Sequence, residues 1–246
     1  MSFIDCHNHS LPYIDDGAKD IEMSLEMLRI AQNNQISDVI LTPHHLNGAF
    51  ENHANKIRQC FNELTLTAKE SNIEVKLHIG SEVHLTHETA NQLISGEALT
   101  YCDQGKAALI ELPKHSIPLG AEKTFEALLS HGITPIIAHP ERNSSIRRDL
   151  NILKKFIDMG CKSQLTAMSC TGDFGPELQK VSLQIIKLKL AHIIATDAHR
   201  PVGRSPNLLD VNNLLTKKVN AECSQILLIT NPKNVINGID LKCISS

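Results

Sequence analysis

Seven short apolar runs recur along the chain, each followed by a stretch of helical period. They are Phe3-Ile4-Asp5, Val39 to Thr42, Val75 to Ile79, Ala107 to Leu112, Ile133 to Ala138, Cys161 to Thr166 and His192 to Thr196. After the first, Ile21, Leu25, Leu28 and Ala31 fall three or four apart, with Asp20 placed to cap a helix. The stretches 52–70, 87–95, 121–131, 150–159 and 176–190 read the same way. A strand that is apolar along its whole length is buried on both faces, so this alternation predicts a parallel sheet covered by helices. The run Gln225 to Thr230 fits either an eighth strand or a helix. No linker, repeat or low-complexity tract interrupts the 246 residues, and they read as a single domain, 1–246.

The polar residues discriminate between an open, doubly wound sheet and a closed barrel. Asp5-Cys6-His7-Asn8-His9 ends the first run, Thr42-Pro43-His44-His45 the second, and Gly80-Ser81-Glu82-Val83-His84 the third. Glu111-Leu112-Pro113, His139-Pro140-Glu141-Arg142-Asn143 and Thr196-Asp197-Ala198-His199-Arg200 end the fourth, fifth and seventh. In a β/α barrel all such ends open on one face, where active sites of that architecture sit; in a doubly wound sheet they spread along an edge. The clustering favours a barrel of about seven units.

Converging His, Asp and Glu without Cys form a ligand set for Zn, Mn or Fe. In an extended segment Asp5, His7 and His9 share one face, so two imidazoles can grip one cation while Asp5 fixes a ring tautomer. The seven cysteines never adopt C-x-x-C spacing, which argues against a thiolate zinc site and suits a reducing cytoplasm. With 24 Lys+Arg against 27 Asp+Glu, a net charge of −3, six Phe, two Tyr and no Trp, neither a phosphate-backbone footprint nor a stacking platform is present, so no nucleic acid is expected. No apolar run approaches the roughly 20 residues of a membrane helix, and no secretory leader pattern opens the chain. The C-x5-R loop of thiol phosphatases, the G-x-S-x-G elbow and the Walker loop are all missing from the sequence. Water activated by metal is then the expected attacking group, and a phosphate ester the expected substrate.

These clusters, with L-P-Y-I-D-D-G-A at 11–18, T-P-H-H at 42–45, G-S-E at 80–82, I-E-L-P at 110–113, I-A-H-P-E-R-N at 137–143 and T-D-A-H at 196–199, resemble the polymerase and histidinol phosphatase (PHP) superfamily. More closely, the chain resembles the branch of bacterial manganese-dependent protein tyrosine phosphatases of capsule and exopolysaccharide operons. The resemblance implies a distorted seven-stranded, TIM-like (β/α)7 barrel, the PHP fold. It implies two or three manganese ions, with Fe, Zn or Co able to stand in their place. His7, His9, Glu82 and Asp197 would hold one ion, Glu82, Glu111 and His139 a second, and Asp16, His44 and His199 a third. Only the resemblance selects Asp16 over Asp15. The implied substrate is a phosphotyrosine protein, a bacterial tyrosine kinase of polysaccharide export. The alternatives are a small-molecule phosphatase such as histidinol phosphatase, and a PHP-type nuclease.

An anionic substrate needs a cationic clamp, and Arg142 and Arg204 are the candidates, with Arg200 open in place of Arg204. His45 either donates to phosphate or sits behind the ligands. His53, His78, His84, His87, His115, His131 and His192 read as surface or core residues.

Overall fold

The computed structural model describes residues 2–244. Its strands are β1 (Phe3–Asn8), β2 (Ile36–Leu41), β3 (His44–His45), β4 (Lys76–Ile79), β5 (Glu82–His84), β6 (Ala107–Glu111), β7 (Thr134–Ala138), β8 (Lys162–Thr166) and β9 (Ile193–Ala195). They form two all-parallel sheets, ordered β1-β2-β4 and β3-β5-β6-β7-β8-β9. The helices are α1 (Ile21–Asn33), α2 (Ala54–Glu70), α3 (Thr89–Ser95), α4 (Ala121–Ser130), α5 (Ser144–Arg148), α6 (Leu150–Asp158), α7 (Ala167–Thr171), α8 (Pro176–Lys187), α9 (Leu209–Lys218), α10 (Ala221–Gln225) and α11 (Asn231–Ile236). Asp20 caps α1, its carboxylate accepting from Met23 N at 2.8 Å.

The mixed α/β fold with parallel strands is the expected one, but its division differs from seven strands in one barrel. Nine segments lie in sheets of three and six, and the additional two, β3 and β5, occupy stretches that read as strand-end loops. The chain leaves the first sheet for the second at Thr42-Pro43 and again at Gly80-Ser81. Proline has no N–H to give a ladder, so the pairing breaks there and resumes one residue on. The ambiguous run near the end is helical: Ile226–Thr230 forms a π-helical turn continuous with α10 and α11.

Strand residues alternate between two cores, which is why apolar residues occur on both faces of the strands. Phe3, Val39, Leu41, Ala108, Ile110, Ile137, Leu165 and Ile194 pack beneath the helices. Ile4, Cys6, Ile40, Leu109, Ile136, Ala138, Ile193 and Ala195 meet one another in a second cluster, joined by Tyr101 and Val235. β1 and the end of β9 also meet directly: Asn8 bridges Ala198, and Asp197 N donates to His7 O at 2.8 Å. The C-terminal ends of strands from both sheets therefore surround one space.

Candidate metal centre

Three pieces of local backbone deliver side chains to that space. His139 (φ 31°), directly after β7, and Asp197 (φ 53°), two residues beyond β9, hold left-handed conformations that non-glycine residues adopt only at a cost. The loop after β1 folds back so that Ala18 N donates to His9 O at 3.0 Å, and a Cβ on Gly17 would lie 2.0 Å from that oxygen. Only glycine allows the approach. It brings Asp15 and Asp16 beside the histidines.

Glu82 stands at the centre, almost fully buried. Its Oε2 is 3.3 Å from His7 Nε2, 3.5 Å from His9 Nε2 and 3.1 Å from His44 Nδ1, and its Oε1 accepts from His139 Nε2 at 2.8 Å. Asp197 Oδ1 lies 3.4 Å from His7 Nε2 and 3.5 Å from His9 Nε2. Asp16 Oδ1 is 3.5 Å from His44 Nε2 and 3.3 Å from His199 Nε2. Glu111 is 4.0 Å from both His44 Nδ1 and His139 Nε2. The potential ligand atoms fall into four groups, each within 4.8 Å: His9, Asp16, His44 and His199; His7, Glu82 and His139; His7, His9 and Asp197; His44, Glu82 and Glu111. Every one of the nine sequence-derived ligand candidates is among them, with His9 joining the third set and Glu111 pairing with His44 instead of His139.

The donor set fits a cation. His7 Nδ1 meets Gln164 Oε1 at 2.8 Å and His9 Nδ1 meets Asp15 Oδ2 at 2.7 Å, and both acceptors require the N–H on that side of each ring. The two Nε2 lone pairs then face each other at 3.0 Å, an arrangement that needs positive charge between them. Glu82 Oε2 and His44 Nδ1 are buried without a hydrogen-bond partner. The electrostatics express the same demand. Burial opposes charge on His7, but Glu82 and Asp197 outweigh it and lift the ring to about 9. Burial is likewise outweighed at His44, which Glu82 and Glu111 lift to about 10. Glu82 is held well below the usual carboxylate range, its burial overcome by His7 and His44. A field that draws protons onto buried imidazoles also draws a metal ion onto them.

Both arginines converge on the other oxygen of Asp197. Arg142 Nη1 donates to Oδ2 at 2.5 Å and Arg204 Nη2 at 2.7 Å, so one carboxylate faces the histidines with Oδ1 and the guanidiniums with Oδ2. Arg142 also lies over the Phe174 ring, 5.9 Å from its centroid. Arg200 is exposed, and its backbone N donates to Arg204 O at 3.2 Å. The basic residue that reaches the cluster is Arg204.

Three readings of the sequence are corrected. Asp5 touches no ring nitrogen: its oxygens accept from Thr196 N at 2.8 Å, Thr196 Oγ1 at 2.5 Å and Asn8 Nδ2 at 2.9 Å, so it ties β1 to the end of β9. Its expected role of fixing a ring tautomer falls to Asp15 and Gln164. His45 follows His44 on β3 and therefore points to the opposite face, where Nδ1 meets Asn52 O at 2.7 Å and the ring packs against His53. It is outside the cluster. His84, read as surface or core, instead reaches Glu111 Oε2 through Nδ1 at 3.2 Å. Gln164 carried little signal, because it stands beside Lys162 and Ser163 in the same strand run. Phe174 carried none, because its approach to Arg142 depends on the tertiary fold.

Comparison with known proteins identifies a family and close structural relatives. The pattern of the family described as "Capsular polysaccharide synthesis, CpsB/CapC" matches residues 3–237. CapC of Staphylococcus aureus is 38% identical over 204 residues, 82% of this chain and 78% of that protein. The tyrosine-protein phosphatase YwqE of Bacillus subtilis (strain 168) is 35% identical over 224 residues, 91% of this chain and 88% of that protein. A chain from the crystal structures of YwqE of Bacillus subtilis and CpsB of Streptococcus pneumoniae, described as metal-dependent tyrosine phosphatases, superposes with a TM-score of 0.94 at 32% identity. That match covers 98% of this chain and 96% of the other.

Proposed function

The chain belongs to the CpsB/CapC family of capsular polysaccharide synthesis, and on that premise we propose that it is a metal-dependent protein tyrosine phosphatase. The observation that carries the reading is Glu82: a buried carboxylate oxygen without a hydrogen-bond donor, 3.1 to 3.5 Å from three imidazole nitrogens. The whole chain acts as one domain, with its two sheets read as a single distorted barrel because strand residues from both share one interior cluster. The ligands are His7, His9, Asp16, His44, Glu82, Glu111, His139, Asp197 and His199, and the ions are two or three manganese. Imidazole with carboxylate suits manganese, iron, zinc or cobalt over magnesium.

Bound divalent ions supply charge to the phosphoryl oxygens and lower the pKa of water. The chain's own residues do the positioning. Gln164 and Asp15 hold the rings of His7 and His9 in the tautomer that turns Nε2 inward. Arg142 and Arg204, each pinned by one nitrogen to Asp197, present their remaining N–H groups to the phosphate and stabilise charge as the P–O bond breaks. Water adds to phosphorus and the tyrosine leaves as its phenol, giving inorganic phosphate. Cys6 does not serve as nucleophile: burial, together with Asp5, pushes its thiol well above its usual range.

The substrate is the phosphotyrosine of a bacterial tyrosine kinase that governs capsule or exopolysaccharide assembly, a reading supported by the family. Seven free cysteines suit the cytoplasm, and among the described residues no helix is long and apolar enough to cross a membrane. The test sets a phosphotyrosine peptide, histidinol phosphate and a single-stranded oligonucleotide side by side, with metal content measured on the same preparation. The peptide is turned over and chelator abolishes the reaction. Preference for histidinol phosphate or the oligonucleotide, or full turnover in excess chelator, overturns the reading.

A further inference from the structure

The rim of the site is not charged evenly. From the first sheet, the loop after β1 brings Asp16 to the rim, half exposed. From the second, the rim beside β6 and β7 is cationic. Lys114 is exposed in the loop after β6 and lines a cavity of about 130 Å³ with Glu111, His139 and Arg142, so it stands at the edge of the metal centre. Helix α5 lies against that loop and adds Arg147 and Arg148. Ser144 N donates to Lys114 O at 2.9 Å, and the hydroxyls of Ser144 and Ser145 each donate to His115 O at 3.2 Å. The arginines are fixed to the same framework: Arg147 Nη1 donates to Arg142 O at 3.0 Å and Arg148 Nε to Ser144 O at 3.1 Å.

Three further cations therefore stand beside Arg142 on one braced surface. The acids next to them in sequence or space do not neutralise them. Glu141 is buried and accepts from Thr166 N, Asp149 caps α6 through Asn151 N, and Glu177 pairs with Arg147 alone, 3.3 Å from Nε. Among the described residues no carboxylate pairs with Lys114 or Arg148. In a chain of net charge −3 this is a local excess of cation, and like charges held together without counter-ions favour an anionic partner. A phosphoryl group at Arg142 fixes the tyrosine, and the peptide on either side must then cross the rim. An extended peptide advances about 3.3 Å per residue, so its nearest three residues span roughly 10 Å of that rim. We propose that Lys114, Arg147 and Arg148 form a docking surface for carboxylates flanking the phosphotyrosine, so that the protein prefers phosphotyrosines set among Asp and Glu. The inference rests on the phosphatase reading and deepens it, because it specifies the sequence around the substrate tyrosine, which the metal centre does not read.

The test uses metal-loaded protein and three peptides that share one phosphotyrosine and differ in the three residues on each side, which are acidic, neutral or basic. The acidic peptide exceeds the neutral one about tenfold in kcat/KM, chiefly through KM, the basic one falls below it, and the preference shrinks as salt screens exposed charges. Lys114→Ala with Arg148→Ala brings the acidic-to-neutral ratio near one, and Lys114→Glu with Arg148→Glu inverts it; Arg147 is left in place because it holds Arg142. Lys217→Ala with Lys218→Ala removes the same charge from α9 and leaves the ratio where it was. Metal content and Tm verify that each variant is folded. Equal kcat/KM for the acidic and neutral peptides, or a ratio moved as far by the α9 pair as by the rim pair, overturns the docking surface. Binding to phosphatidylserine vesicles that the rim variant loses, with no preference among peptides, also overturns it and makes the surface a membrane contact. The two readings fail differently. Turnover of all three peptides at equal efficiency removes only the docking surface, whereas a metal-loaded protein that hydrolyses none of them removes the phosphatase reading and the docking surface with it.

Discussion

Asp5, within β1, and Glu82, at the start of β5, are both buried carboxylates, and they are solvated in opposite ways. Asp5 is surrounded by neutral donors from Thr196 and Asn8 and needs nothing more. Glu82 has one oxygen on His139 and the other among His7, His9 and His44 with no hydrogen-bond partner. The histidines divide in the same way. Acids lift His7 to about 9, whereas His192, buried near Lys162, is pushed down to about 4. A satisfied buried charge holds strands together; an unsatisfied one, ringed by imidazoles, is a place for a cation.

The sharpest way to break this contrast is Glu82→Gln. Removing the central charge costs the bound metal and at least a thousandfold in kcat/KM, about 4 kcal/mol, while Tm measured in chelator moves little because His7 and His44 can shed their protons. A large fall in that Tm would place Glu82 with Asp5 as a structural residue. Arg142→Ala comes next: metal is retained and kcat/KM falls by roughly 10² to 10³, about 3 kcal/mol, with Arg142→Lys restoring only part because a point charge lacks the planar fork. Loss of metal in Arg142→Ala would instead make its contact to Asp197 the essential one.

The contrast between histidines is read through pH. His192 has its folded pKa near 4, below the ordinary 6.5. Between those values the unfolded chain binds a proton that the folded chain refuses, so stability present above pH 6.5 is lost as pH falls toward 4. The loss due to this group at pH 4.5 relative to pH 7.5 is on the order of 2.5 kcal/mol, and it is seen as the difference between wild type and His192→Gln in urea unfolding at the two pH values. Identical pH dependence in the two proteins would sink the assignment. The smallest of the four effects is Asp5→Asn, which turns an amide toward groups that donate to the carboxylate and lowers unfolding stability by about 2 kcal/mol, with metal still bound at neutral pH. Metal loss without a change in Tm would reverse the roles of the two carboxylates.

Much of the site was legible because its ligands sit where strands stop, and strand ends are marked by the passage from apolar runs to ionisable residues. Gly17 shows the limit of that legibility. The glycine reads as an ordinary turn residue, yet its missing Cβ lets the 15–18 segment lie against His9. The doublet Asp15-Asp16 is two equal carboxylates in sequence; in the fold the first is buried on His9 and the second is half exposed beside His44 and His199.

The sequence by itself determined the alternation of strand and helix, the gathering of His, Asp and Glu at strand ends, and the absence of a thiol or serine nucleophile motif. Those properties depend on composition and on periods of a few residues, which neighbours along the chain dictate. Only the tertiary structure decided that Asp5 braces Thr196, that His45 turns away from the cluster, that Gln164 orients His7, and that the strands divide three and six at Thr42-Pro43 and Gly80-Ser81. Each of these depends on a partner far away along the chain, as Asp5 and Thr196 are, or on the face to which a pleated strand turns one side chain, and no local pattern carries that information.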